Sequence, residues 1–354
     1  MSTSTVRVRR RGHLAPSVVF VDGIEGCGKT MLSPIVSALD RAELPTYAYE
    51  IQNLCSLVHL EKLDRDAAGA MISMLVDLQL YNSMQSRETN FRPSDLSSVF
   101  RASQPWRYFR RLFQPGGQQA AERIVPEDPI LCLTTHRLLA YCEPIYEGLG
   151  DRCTFVEVVR HPLYLIVQNT LNFSRLFGTP RNFTIHYDSR GMSFPYFAHD
   201  WEDRYLSERA IDRAIYHIQN ATSRSGAMRR WVQNRGSAVV TVPFETFVLE
   251  PEPYMRVLED ALGTRVTRHT RKMMAKQNVP RATYAASIDL AVYRRCGWVP
   301  PKAGLSELEE LETRRLWAAS EASPAAMSVL DELCDEYEVA YMDGRLRQQP
   351  GRYI

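Results

Sequence analysis

The sequence predicts an α/β fold, a central parallel sheet covered by helices on both faces. Three observations predict it. Five short, largely apolar runs are separated by helix-length spacers: Val18–Asp22, Pro45–Ile51, Pro129–Thr135, Thr154–Arg160 and Ala238–Pro243. Most of these runs are continuously apolar rather than alternating, as strands buried on both faces must be. The first run ends in Gly23-Ile-Glu-Gly26-Cys-Gly28-Lys29-Thr30, and a helix-like stretch, Met31–Arg41, follows at once.

That turn has the G-x-x-x-x-G-K-[ST] form of a phosphate-binding P-loop, in the strand–loop–helix context the motif requires. Gly23, Gly26 and Gly28 open backbone conformations closed to other residues. The loop's N–H groups, that of Cys27 among them, then converge on phosphate oxygens at a helix N-terminus. Lys29 places a mobile positive charge on the outer phosphates, and the Thr30 hydroxyl is the candidate magnesium ligand. The expected architecture is therefore a P-loop NTPase-type three-layer fold with a central parallel sheet.

Composition bounds the rest. The chain has 354 residues, 45% apolar and 24% charged, enough for a large core in an ordinary soluble globule. A net charge of +2 gives no general reason to expect nucleic acid as a partner. Local basic clusters occur at Arg7–Arg11, expected to be a flexible arm over 1–14, and at Arg101–Arg111 with Trp106 and Tyr108 interleaved. Seven cysteines, at 27, 55, 132, 142, 153, 296 and 334, show no C-x-x-C spacing and read as buried thiols of a reducing compartment. No apolar run reaches membrane-spanning length, so no membrane span is expected and the chain reads as cytoplasmic.

The main α/β domain is expected over 15–300. Residues 60–128 read as a helical insertion, broken at Pro115-Gly-Gly-Gln-Gln119, and 176–203 as an irregular aromatic lid. Residues 204–234 read as a helix. A C-terminal helical extension over 301–354 begins with the charged run Glu307–Arg315, read as a solvated face.

In such sheets ligands sit beyond the carboxyl ends of the strands. The residues there are Glu50 after the second run, Thr134-Thr135-His136-Arg137 after the third, Arg160-His161-Pro162 after the fourth and Phe244-Glu245 after the fifth. Glu50 reads as a base or acceptor anchor, or equally as a solvated carboxylate. His136 reads as a general base or as a capping residue. Glu245 reads as a turn-fixing residue.

Several of these blocks, in order, resemble the sulfotransferase family. They are Thr134-Thr-His136, Phe155-Val-Glu-Val-Val-Arg160-His-Pro162 with Asn169-Thr-Leu-Asn-Phe173, and Val242-Pro-Phe-Glu245 leading to Leu258-Glu-Asp-Ala-Leu-Gly263. The resemblance covers roughly 18–263 and is weak across 60–128. It implies 3′-phosphoadenosine-5′-phosphosulfate (PAPS) as donor without a metal, His136 as base on an acceptor hydroxyl, and Arg160 on the donor's 3′-phosphate. It also implies a basic segment, for which Arg271, Lys272, Lys276 and Arg281 are candidates. Two positions depart from the family: Gln168 stands where a serine is usual, and the loop lacks the family's basic residue, with Gly26 in its place. The loop is instead similar to that of thymidylate kinases. The expected function on this reading is phosphoryl transfer from ATP with Mg2+ to a hydroxyl of a small molecule or glycan. PAPS-dependent sulfuryl transfer is the alternative, and a nucleotide-binding interaction protein the third reading.

Overall fold

A computed structural model describes residues 6–95, 97–207, 209–285 and 304–342. Cys296 and the expected boundary near 300 lie outside the described residues, as does the start of the basic arm. The chain folds into three layers around a five-stranded sheet. Its strands are β1 (Ser17–Asp22), β2 (Thr46–Tyr47), β3 (Ile130–Thr134), β4 (Cys153–Val159) and, after a separate hairpin, β7 (Val239–Pro243). They lie in the order β2-β3-β1-β4-β7, and every pairing is parallel.

Side-chain alternation explains why the runs read as continuously apolar. Val19 and Val21 of β1 face one layer with Cys132, Val156, Val158 and Val242. Val18 and Phe20 face the other with Leu131, Leu133 and Phe155. Successive side chains point to opposite faces, and here both faces are buried. The Phe20 and Phe155 rings stack at 5.0 Å across β1 and β4.

One layer is built by α1 (Lys29–Val36), α7 (Pro162–Arg175), α11 (Glu252–Leu262) and α12 (Arg268–Lys276), joined by the C-terminal helices α13 (Glu307–Glu321) and α14 (Pro324–Tyr341). The other holds α2 (Tyr49–His59), α3 (Arg65–Ser83) and α6 (Glu143–Leu149). The long α9 (Ala210–Gln233) contributes to both. The 60–128 region is helical, with α3, α4 (Pro105–Arg111) and α5 (Gln118–Glu127).

Three local expectations are corrected. The second run pairs with β3 only at Thr46 and Tyr47, and the chain then turns into α2. Ile51 and Cys55, four residues apart, bury one helical face, so the 3.6 period prevails over the strand reading. The 176–203 segment is ordered into the hairpin β5 (His186–Ser189) and β6 (Met192–Pro195). Its two-residue turn, Arg190-Gly191, holds both residues at positive φ (53° and 75°), the geometry that matches strand twist. Finally, Glu310 and Arg314 of the charged run are buried and paired at 2.8 Å, with Arg314 lying over the Tyr164 ring.

Removing the ring at the sheet's centre tests this packing. Phe20→Ala is expected to lower stability by about 3–5 kcal/mol through lost burial and an unfilled cavity. Denaturant unfolding measures it, and a loss under about 1 kcal/mol contradicts the packing described.

Candidate functional site

The glycine loop between β1 and α1 is shaped by close approach. Gly23 and Gly28 have φ of 145° and 106°. A Cβ on Gly23 would stand 2.3 Å from the Val158 carbonyl oxygen, and one on Gly28 would stand 2.4 Å from the Phe244 ring. Backbone conformation and space therefore both demand glycine. Gly26 is wrapped differently: Arg160 Nη1 donates to its carbonyl at 2.9 Å, and Gln168 on α7 lies against its Cα. Asn169 Nδ2 donates to the neighbouring Glu25 carbonyl at 2.9 Å.

Lys29 opens α1 and folds back over the loop. Its Nζ donates to the carbonyls of Gly23 (2.5 Å) and Ile24 (3.0 Å) and is buried. Cys27 is buried beneath it, and burial pushes its thiol up, so the thiol stays neutral. Thr30 is exposed on the first helical turn.

Asp22, wholly buried at the end of β1, accepts from Thr135 Oγ1 (2.9 Å) and the backbone N–H groups of Leu138 (3.0 Å) and Leu139 (2.8 Å). This fixes the turn after β3, from which His136 and Arg137 project. The His136 N–H donates to Gln52 Oε1 at 2.6 Å, and its ring lies against Tyr47 and Tyr49. Burial, reinforced by the Lys29 charge, lowers the imidazole to about 3, so it is neutral at physiological pH. Arg137, at φ 57°, turns back to the loop. Its backbone N–H donates to Gly23, and its guanidinium pairs with Glu25 and covers the Phe197 ring at 4.4 Å. Burial opposes Glu25's charge, but Arg137 and His217 outweigh it and hold the carboxyl well below its usual range.

A cleft of about 180 Å³ opens beside the loop. Glu25, His136 and Gln168 line it with Tyr49, Gln52 and Tyr196, and Arg181 and Phe183 close its outer side. The structure thus gathers the glycine loop, His136 and Gln168. Arg160 lies on the Gly26 carbonyl, stacked on Tyr164 and Phe244 at 4.6 and 4.2 Å. Glu50 is exposed on the first turn of α2 and does not line the cleft; its neighbours Tyr49 and Gln52 do. Of the basic candidates, Arg281 approaches Phe244 at 5.6 Å, whereas Arg271 pairs with Glu252 at the surface. Lys272 and Lys276 are exposed on α12.

Sequence reasoning passed over Glu25 and His217. A carboxylate inside a phosphate-binding loop needs a cationic partner, and that was the available signal for Glu25. For His217 there was none, because it sits on a helix whose pattern is set by isoleucines.

Most carboxylates around the loop are engaged by protein donors, while Glu25 Oε2 accepts no hydrogen bond among the described residues. Beyond Asp22 and Glu25, Glu157 pairs with Arg229 at 2.6 Å, and Glu245 accepts from Tyr337 Oη (2.6 Å) and the His161 N–H (3.2 Å).

The Glu25–Arg137 pair carries a stability prediction. Arg137→Met is expected to cost about 3–5 kcal/mol by stranding a buried carboxylate, and Glu25→Gln in addition to recover part of it. Because Glu25's folded pKa is depressed, its contribution is present above its ordinary value of 4.5 and lost as pH falls through the folded value. Unfolding of both variants across pH 3–7 measures it; equal acid sensitivity of wild type and Glu25→Gln contradicts it.

No protein-family model matches this chain, and no curated protein does. Among solved structures it is similar to a sulfotransferase domain from the curacin biosynthetic pathway (TM-score 0.45, 11% identity, 91% of this chain and 98% of that one). It is also similar to one from the Synechococcus PCC 7002 olefin synthase (TM-score 0.40, 13%, covering 89% and 98%). A third is sulfotransferase STF9 from Mycobacterium avium (TM-score 0.38, 14%, covering 88% and 78%). With TM-scores below 0.5 these likenesses bear on neither substrate nor residue roles. The solved structures named are sulfotransferase domains rather than nucleotide kinases, and the expectation of a nucleotide-kinase-type enzyme is corrected to that extent. ATP with Mg2+ as donor and phosphoryl transfer are corrected with it.

Proposed function

We propose that the chain is a sulfotransferase-type enzyme, moving a sulfuryl group from PAPS to a hydroxyl of a small molecule or glycan without a metal ion. One observation carries this reading: a histidine kept neutral lines a cleft beside the glycine loop, where Asp22, Glu157 and Glu245 are engaged by protein donors. Metal-free transfer of an already activated group needs donor-binding N–H groups and cations together with a base, and it needs no carboxylate for magnesium.

The loop N–H groups of 23–30, Cys27 included, hold the donor's 5′ phosphosulfate, with the Thr30 hydroxyl beside them. Arg160 binds the 3′-phosphate, with Arg281 also close to the Phe244 ring. Gln168 contacts the donor from α7. His136 accepts the proton as the acceptor oxygen bonds to sulfur. The bond from sulfur to the bridging oxygen breaks, and adenosine 3′,5′-bisphosphate leaves with the electron pair. Lys29 neutralises the charge that develops on that leaving oxygen. The acceptor lies between Tyr49 and Tyr196, with Arg181 at the mouth. Within the α/β class the finer architecture is that of a sulfotransferase, one catalytic domain over 15–300 closed by the C-terminal helices.

Calorimetric titration tests the donor. Adenosine 3′,5′-bisphosphate is expected to bind without metal, and Arg160→Ala to weaken it by about tenfold or more, as loss of a charge-assisted contact does. Preference for ATP with magnesium overturns the proposal.

The base has its own test. His136→Ala is expected to slow turnover by roughly 10²–10⁴-fold with donor affinity nearly intact. Because the imidazole of the free enzyme stays neutral down to about pH 3, protonation of His136 gives kcat/KM no acid limb between pH 8 and 5. A limb near pH 6.5 that disappears in His136→Ala refutes the neutral-histidine assignment.

A further inference from the structure

Away from the loop, His59, His199 and Asp200 form a second cluster. One ligating atom of each lies within 4.8 Å of the others, the single such group of three among the described residues. His59 is the last residue of α2. His199 and Asp200 directly follow the short 3-10 turn after the β5–β6 hairpin. The cluster joins two segments that also line the cleft: Tyr49 and Gln52 stand on the helix that ends at His59, and Tyr196 stands three residues before His199.

His59 Nε2 is shielded from solvent and has no hydrogen-bond partner among the described residues. A buried ring nitrogen in that state costs free energy that a hydrogen bond or a metal ion would recover. Tyr141 and Tyr187 lie against the two imidazoles, at 4.7 and 5.5 Å between ring centres, and limit their rotation.

We propose that His59, His199 and Asp200 bind a divalent transition-metal ion of the zinc class, joining α2 to the segment after the hairpin. Two imidazoles and one carboxylate are a zinc donor set with a fourth position left for water. Bonds of about 2.1 Å in a tetrahedron place ligand atoms about 3.4 Å apart. His199 Nδ1 and Asp200 Oδ1 already stand at 3.5 Å. The remaining closure falls to the exposed side chains of His199 and Asp200. Arg224 is the opposing charge: it pairs with Asp200 Oδ2 and stacks on Tyr141 at 4.7 Å, leaving Oδ1 to face the imidazoles. The site therefore binds more weakly than an isolated zinc triad, and the ion acts as a strut between the cleft's walls.

The test uses the full-length protein after chelator treatment, titrated calorimetrically with Zn2+ and followed with Co2+ by visible absorption. Wild type is expected to bind one ion per chain at this site, to give the visible bands of low-coordinate cobalt, and to unfold at higher temperature with zinc. His199→Gln and Asp200→Asn, both surface changes, are expected to weaken binding by at least about tenfold and to lose the thermal shift. Arg224→Gln is expected to tighten it. No binding by the wild type, or equal binding by wild type and both ligand variants, overturns the proposal, the latter placing the ion on other histidines.

Discussion

The buried carboxylate of Asp22 is the constraint on which the site depends. It ends the central strand, and all three of its hydrogen bonds go to one short turn after the neighbouring strand. Those bonds straddle His136 and Arg137, so one carboxylate sets the direction of the cleft's histidine and of the guanidinium that returns to the loop. Two further backbone bonds, Thr135 N–H to Val21 and Arg137 N–H to Gly23, knit the same two strand ends. A carboxylate placed this deep is tolerable only because three donors meet it. The same engagement removes it from any other role.

From that anchor the charge pattern follows. Glu25 lies inside the loop and is cancelled by Arg137; Glu157 lies inside a strand and is cancelled by Arg229. Glu245, which also lies 3.8 Å from Arg160, is held by Tyr337 and the His161 N–H. Lys29 meanwhile rests on the loop's own carbonyls, and its charge is one reason the His136 imidazole stays neutral. Loop and His136 are therefore electrostatically coupled: a change in the lysine's position alters the basicity of the histidine.

The C-terminal helices belong to the same arrangement. Tyr337 of α14 donates to Glu245 at the end of β7. The Leu163 N–H donates to His161 Nδ1, which leaves the proton on Nε2, facing Glu338 at 3.3 Å. The turn that carries Arg160 is thus held by residues almost two hundred positions later. Arg160 in turn shares the Phe244 ring with Gly28 and Arg281. Late truncations should disturb the loop through this chain of contacts rather than through the sheet.

The sequence by itself determined the parallel sheet, the loop and the strand-end positions. Runs such as Val18–Val21 bury both faces and so leave a continuous apolar signature, while Gly23 and Gly28 occupy positions that no side chain fits. It also placed His136, because a residue just past a buried strand has nowhere to go but the carboxyl edge. What only the tertiary structure decided lies in long-range contacts and short periods. Helical burial of Ile51 and Cys55 turned the end of the Pro45–Ile51 run, from Tyr49, into α2 and carried Glu50 out to solvent, while Tyr49 and Gln52 came in. The reading of the loop as an ATP site followed from its local pattern, which fixes backbone shape but says nothing about where Asp22, Glu157 and Glu245 find their partners. Those partners, Leu138 and Leu139, Arg229 and Tyr337, are scattered across the chain. Charge neutralisation between residues so far apart leaves no trace in local sequence, and that is why the chemistry of the site had to wait for the fold.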